Sequence, residues 1–121
     1  MRSATAPPVS SADASDGGWI RVLELGEIVA GEVVEVRAGT QSIAIVSTPD
    51  GLFAVDAVCP HAGGPLGDGH LDGCVLTCPW HGWTYDVRSG VSELDEAVSV
   101  RTWACQVRGD GVYVRESAVV A

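Results

Sequence analysis

The stretch Cys59–Asp86 reads CPHAGGPLGDGHLDGCVLTCPWHGWTYD. Two phrases in it nearly repeat each other, Cys59-Pro60-His61 and Cys78-Pro79-Trp80-His81, with sixteen residues between His61 and Cys78. Each offers one thiol and one imidazole. Two thiolates and two neutral imidazoles make a soft, four-coordinate donor set. It suits either a single Zn²⁺ or a binuclear iron–sulfur cluster with Cys on one iron and His on the other. Zinc fingers usually pair Cys with Cys and His with His, whereas here each phrase mixes the two. Pro60 and Pro79 fix φ after each Cys and remove a backbone donor. Gly63, Gly64, Gly67, Gly69 and Gly82 let the backbone approach closely, so that amides can aim at sulfur.

Outward from the motif the chain reads as β. Trp19–Leu25, Glu32–Arg37, Ser42–Ser47 and Leu52–Val58 are short and rich in β-branched residues. Thr48-Pro49-Asp50-Gly51 is a turn between the third and fourth runs. Beyond the motif, VSVRTWACQVR and VYVRE are joined by Gly109-Asp110-Gly111, a hairpin signal. WTYDVRSGVSEL suggests a hairpin turning at Ser89-Gly90, and the insert carries a small one at Leu71-Asp72-Gly73. Only SELDEA suggests a helical turn. Both Cys–His phrases thus lie in Pro- and Gly-rich loops on a β framework, where sites are commonly built.

The 121 residues are enough for one domain. Residues 1–18 have no apolar central region and read as a disordered tail rather than a signal peptide, leaving a single domain over 19–121 with its site in loops at about 58–86. No apolar run approaches the roughly 18 residues of a membrane span, so the expected location is the cytoplasm. Sixteen acidic residues face seven arginines and no lysine, a formal charge of −9. Such a field repels phosphate backbones and anionic membranes, which argues against nucleic acid and membrane partners. It either serves solubility or steers the chain toward a basic face on a protein partner, and charge alone does not decide between the two. Cys74 and Cys105 read as buried small hydrophobes, Trp19 and Trp103 as core, His70 as a solvated loop residue, and Asp86 as a strand end without chemistry.

Cys59-x-His61, the sixteen-residue spacer, Cys78-x-x-His81 and the phrase CPWHGWTYD together resemble the Rieske [2Fe–2S] family, most closely over Cys59–Asp86. The resemblance implies an all-β fold, a Rieske-type antiparallel sandwich or barrel with a small cluster-binding subdomain inserted between strands. It implies one [2Fe–2S] cluster, with Cys59 and Cys78 on the inner iron and His61 and His81 on the outer, more exposed one. Gly64, Leu66, Trp80, Gly82, Trp83 and Tyr85 would surround it, Trp80 and Trp83 shielding it from water. Neutral imidazoles in place of two thiolates ease the addition of an electron, which raises the potential above plant-type ferredoxins. High-potential members carry two further cysteines that bridge the cluster loops, at positions matching Gly64 and Trp80 here. They also carry a Ser hydroxyl donor at the position of Trp83. Tyr85 matches their Tyr, a donor to a cysteine sulfur.

Nothing else in the chain reads as catalytic: there is no dinucleotide fingerprint, no second metal triad and no nucleophile–base pair. The resemblance therefore implies an electron carrier rather than an enzyme, a soluble, low-potential ferredoxin of the ring-hydroxylating dioxygenase type. It would be monomeric in isolation and pass one electron from a flavin-dependent ferredoxin reductase to a terminal oxygenase in aromatic hydrocarbon catabolism. Two alternatives stand beside it: the small Rieske subunit of an NAD(P)H-dependent assimilatory nitrite reductase, and a zinc-binding interaction module.

Overall fold

The computed structural model describes residues 18–60, 63–80 and 82–116. Their strands are β1 (Ile20–Glu24), β2 (Val33–Ala38), β3 (Gln41–Thr48), β4 (Gly51–Asp56), β5 (His70–Asp72), β6 (Val75–Thr77), β7 (Thr84–Asp86), β8 (Thr102–Arg108) and β9 (Gly111–Glu116). Six form one antiparallel sheet in the order β1-β9-β8-β4-β3-β2, and β5-β6-β7 form a second. The edge strands β1 and β2 come back alongside each other, so the large sheet curls into a nearly closed barrel. The small sheet is inserted between β4 and β8, as the all-β reading expected.

β3 explains how the two sheets fit. Ile43 and Ile45 enter one apolar cluster with Ala54, Trp103, Val112 and Val114, which fills the barrel. Alternate residues Ala44 and Val46 enter a second cluster with Val55, Leu66, Leu76 and Tyr85, between barrel and small sheet. A strand alternates its faces with period two, so a run apolar at every position must be covered on both sides. Full burial of each Ile contributes about 1.5–3 kcal/mol. Cys59 and Cys78 belong to the second cluster, and the site is therefore anchored on the junction of the two sheets.

The turns follow their sequence signals. Thr48 pairs with Gly51 around Pro49-Asp50, and the Thr48 hydroxyl donates to the Gly51 carbonyl at 2.8 Å. The β8–β9 and β5–β6 hairpins begin their two-residue loops with Gly109 (φ 58°) and Gly73 (φ 64°), a left-handed conformation that costs glycine little. The small hairpin therefore turns at Gly73-Cys74, slightly later than the Leu71–Gly73 expected. Ser89-Gly90 also turns the chain, and the segment beyond it meets β7 at the bridge Tyr85–Ser92 and folds on itself at Val91–Ser99.

Several expectations need correction. SELDEA forms bends and a turn, not a helical turn. The Ser92 hydroxyl and Asp95 carboxylate accept the amides of Leu94 and Ala97 at 3.1 and 2.9 Å, the local competition that keeps such residues out of helices. Among the described residues the helical turns are 3-10 and lie at Leu25–Glu27 and Leu66–Asp68. β8 starts only at Thr102, because Val98 and Val100 exchange hydrogen bonds with Ser92 and Gly90 instead of joining the barrel. β4 stops at Asp56, since Val58 bridges to Pro65 as the first cluster loop folds back. Trp19 is no core residue: Arg115 and Arg108 lie over its ring at 4.6 and 5.4 Å. Trp103 is core as expected. The expected tail lies, except for Gly18, outside the described residues, as do residues 117–121.

Candidate metal centre

Two loops carry the motif, and each is closed by the same device. The Cys59 amide donates to the Gly64 carbonyl at 2.9 Å, and the Cys78 amide donates to the Trp83 carbonyl at 2.7 Å. Each cysteine thus binds the carbonyl five residues further on, and its side chain is turned inward. Both are closed to solvent, Cys59 at 1% and Cys78 at 0% exposure. Below the first loop, Leu66 is fully buried in the 3-10 turn, and Gly67 donates to the Ala57 carbonyl at 3.3 Å. Gly69 must be glycine, because a Cβ there would stand 2.4 Å from the Thr77 carbonyl oxygen. These contacts tie the first loop to the barrel and to β6.

The two sulfurs converge although their loops are separate in sequence, and none of the four cysteines is in a disulfide. The Cys78 thiol pKa is raised, chiefly by burial; the Trp80 amide opposes this, and the adjoining Cys59 thiol adds to it. Two neighbouring buried thiols cannot both ionise in an apolar setting unless a cation neutralises them. Donors are already aimed at the charge that would then develop. The Trp80 amide stands 3.4 Å from Cys78 Sγ, and the Tyr85 hydroxyl 3.1 Å from Cys59 Sγ. Paired thiols with an N–H and an O–H aimed at them fit an iron–sulfur centre.

Among the described residues no third His, Cys, Asp or Glu joins the thiols into a metal-binding group. His61 and His81 lie outside the described residues. Of the expected surroundings, Gly64 and Leu66 are buried beside the thiols, and Tyr85 is wholly buried. Trp83 is partly buried against the same apolar cluster. Gly82 takes φ 72° in the second loop. Trp80 shields only with one side, since it is 49% exposed.

Of the other titratable residues singled out, His70 is exposed but sits in strand β5, paired with Thr77. Asp86 ends β7 and accepts from Arg88 at 2.8 Å, which holds its carboxyl below the ordinary range. Cys74 and Cys105 are half-buried rather than buried. Cys74 packs against the junction core while its thiol faces the Asp50 carboxylate at 3.7 Å. The Arg88 guanidinium spans from Asp86 to Asp50 at 3.4 Å, tying the small sheet to the β3–β4 turn. Sequence reading missed this tie, because Asp50 and Arg88 are neighbours only once the sheets have packed.

Known proteins resemble this chain in sequence and fold. The model of the Rieske [2Fe–2S] domain matches residues 18–104. Cholesterol 7-desaturase nvd of Hemicentrotus pulcherrimus is 37% identical over 75 residues, which are 60% of this chain and 16% of that protein. The chain thus spans only a small part of that relative. Ferredoxin CarAc of Metapseudomonas resinovorans is 29% identical over 98 residues, 79% of this chain and 92% of its own length. Among solved structures, the complex of reduced oxygenase and oxidized ferredoxin in carbazole 1,9a-dioxygenase contains a chain 27% identical, at a TM-score of 0.77. The match covers 85% of this chain and 98% of that one. A nitrite reductase small subunit from Mycobacterium tuberculosis shares the fold at a TM-score of 0.75 and 22% identity, over 84% of this chain and 96% of its own.

Proposed function

Because this chain belongs to the Rieske [2Fe–2S] domain family, whose cofactor is a single [2Fe–2S] cluster, we propose that Cys59 and Cys78 hold its inner iron. His61 and His81 hold the outer one. The observation that carries this reading is the convergence of two buried thiols from separate loops, each sulfur already facing a donor. When bound, the cluster supplies a one-electron redox couple. The chain's own residues do the rest. Leu66 and Leu76 exclude water, Tyr85 and the Trp80 amide stabilise negative charge on the sulfurs, and the two loop closures hold the thiols in register. Like the ferredoxin components it is similar to, the chain acts as an electron carrier.

The carrier takes an electron from a flavin-dependent reductase and passes it to a terminal oxygenase, in the manner of ferredoxin components of aromatic-ring dioxygenase systems. The match along nearly the whole length of Ferredoxin CarAc supports this assignment. No helix among the described residues is long and apolar enough to cross a membrane, and the reading places the protein in the cytoplasm as a monomer. A docking face rich in lysine and arginine on the partner would complement the charge of −9.

The test is purification followed by iron and sulfide analysis and reconstitution with a flavin reductase and an oxygenase. A red protein with two irons and two labile sulfides that passes single electrons without forming a lasting complex is expected. Zinc in place of iron overturns the centre. A stoichiometric complex that survives purification would instead identify a nitrite reductase subunit.

A further inference from the structure

No disulfide joins the two thiol loops; an aromatic contact does. A Cβ built on Gly64 would stand 2.8 Å from Trp80 Cγ, 2.9 Å from Trp80 Cδ2 and 2.9 Å from Cys78 Sγ. No methyl group fits at such distances, so the indole of the second loop sits directly on the peptide of the first. Gly64 is also the residue whose carbonyl receives the Cys59 amide. Trp80 is the residue whose amide donates to Cys78 Sγ. The contact between them links the peptide that fixes one thiol to the peptide that fixes the other.

Trp80 is 49% exposed, and an indole half in water needs a reason to be held in one place. Burial in a core does not supply it. The seat on a residue without a side chain does, and the same ring covers one side of Cys78. A metal centre escapes from a protein when its ligand loops separate, and such local openings are governed by the contacts between the loops rather than by global stability.

We propose that Trp80 is a clasp, a positioning residue whose side chain, seated on Gly64, keeps the two thiol loops closed and so sets the lifetime of the bound cluster. This rests on reading Cys59 and Cys78 as cluster ligands. The exposed Val107 is an apolar surface residue of β8, paired with Val112 beside the β8–β9 turn, and serves as the control.

The experiment follows the visible absorbance of the holoprotein in excess chelator. Trp80→Ala is expected to shorten the half-life of the cluster at least fivefold. Trp80→Phe, which keeps a ring on Gly64, and Val107→Ser should stay within twofold of the parent protein. A second variant makes the clasp covalent. Trp80 Cβ is one bond from Cγ, so Cβ atoms at positions 64 and 80 fall within the upper limit of roughly 4.5 Å for a disulfide. The double variant Gly64→Cys/Trp80→Cys removes the indole but still sets a Cβ 2.9 Å from Cys78 Sγ, so it is compared with itself: its cluster should last at least fivefold longer when oxidised than once dithiothreitol opens the bridge. If Trp80→Ala fails to take up a cluster, this reversible pair decides the matter. Equal half-lives for Trp80→Ala and the parent, or a double variant whose cluster lasts no longer when oxidised than when reduced, overturn the clasp alone. A parent protein without iron overturns the reading of the centre and the clasp with it.

Discussion

The hydroxyl oxygen of Tyr85 stands 3.1 Å from the sulfur of Cys59, and both side chains are closed to solvent. The two residues are 26 positions apart and meet because β7 packs its Tyr85 into the junction core on which the first loop rests. With Cys59 ionised, only the phenol can donate. A hydrogen bond to a charged acceptor contributes about 1.5–3 kcal/mol, and it is worth more in the reduced, more negative state.

Replacing Tyr85 with Phe therefore lowers the midpoint potential. Since 1.36 kcal/mol corresponds to about 59 mV for one electron, and only the difference between oxidation states counts, the expected fall is tens of millivolts. Protein-film voltammetry measures it directly. An unchanged potential would show that the phenol serves packing alone.

Cys59→Ala and Cys78→Ala are each expected to abolish the cluster, as are His61→Ala and His81→Ala. Metal-binding free energy is shared with loop order, so the two cysteine variants should also expose the 58–86 region to proteases. Iron content and limited proteolysis read the two effects together. A red protein with the parent spectrum after any of the four substitutions removes that residue from the ligand set.

Cys105 makes stability fall in alkaline solution. Burial pushes its thiol up to about 11, whereas in the unfolded chain it ionises near 8.5. Between those values the unfolded state releases a proton that the folded state keeps, so stability is fully present below the lower value and is lost as pH rises toward the upper one. Urea midpoints from pH 8 to 11 should decline, and Cys105→Val, which fits the half-buried apolar site, should flatten the decline. Parallel curves for the two proteins would assign the slope to other groups.

Much of this architecture is legible in the sequence, and the reason is local. The hairpins at Thr48–Gly51 and Gly109–Gly111 follow from turn chemistry that acts within four residues. The meeting of the Cys59 and Cys78 thiols follows the near repeat of two thiol–imidazole phrases at a specific spacing. What was not legible depends on packing between distant segments. Val98–Val100 looks like strand, yet it pairs with Gly90–Ser92. Trp19 looks like core, yet it stacks between arginines brought to it by β8 and β9. The seat of Trp80 on Gly64 likewise exists only once both loops have folded, so their identities announce nothing by themselves.

Electron transfer to a basic partner should slow as salt rises. The Debye length falls from about 30 Å at 0.01 M to about 8 Å at 0.15 M, which cancels the long-range attraction that a charge of −9 exerts. Stopped-flow rates across that range should fall severalfold. A flat profile would mean that the charge serves solubility only.

The potential itself should lie at the low end for this kind of centre. The donors seen at the sulfurs are the Tyr85 hydroxyl and the Trp80 amide. Trp83 stands where high-potential members place a hydroxyl on a bridging sulfide, and its indole packs against the junction core instead. Each donor to the cluster stabilises the reduced state, so one fewer leaves the electron less well held. By the same conversion as for Tyr85, that loss is worth tens of millivolts or more. Histidine-ligated centres span roughly −150 to +300 mV, and this chain is expected between about −150 and 0 mV, within reach of a flavin donor and below that of a quinol. Voltammetry of Trp83→Ser supplies the converse: a hydroxyl restored at that position should raise the potential by tens of millivolts. A parent midpoint above about +200 mV would place the chain with the high-potential members and overturn the assignment as a flavin-fed carrier.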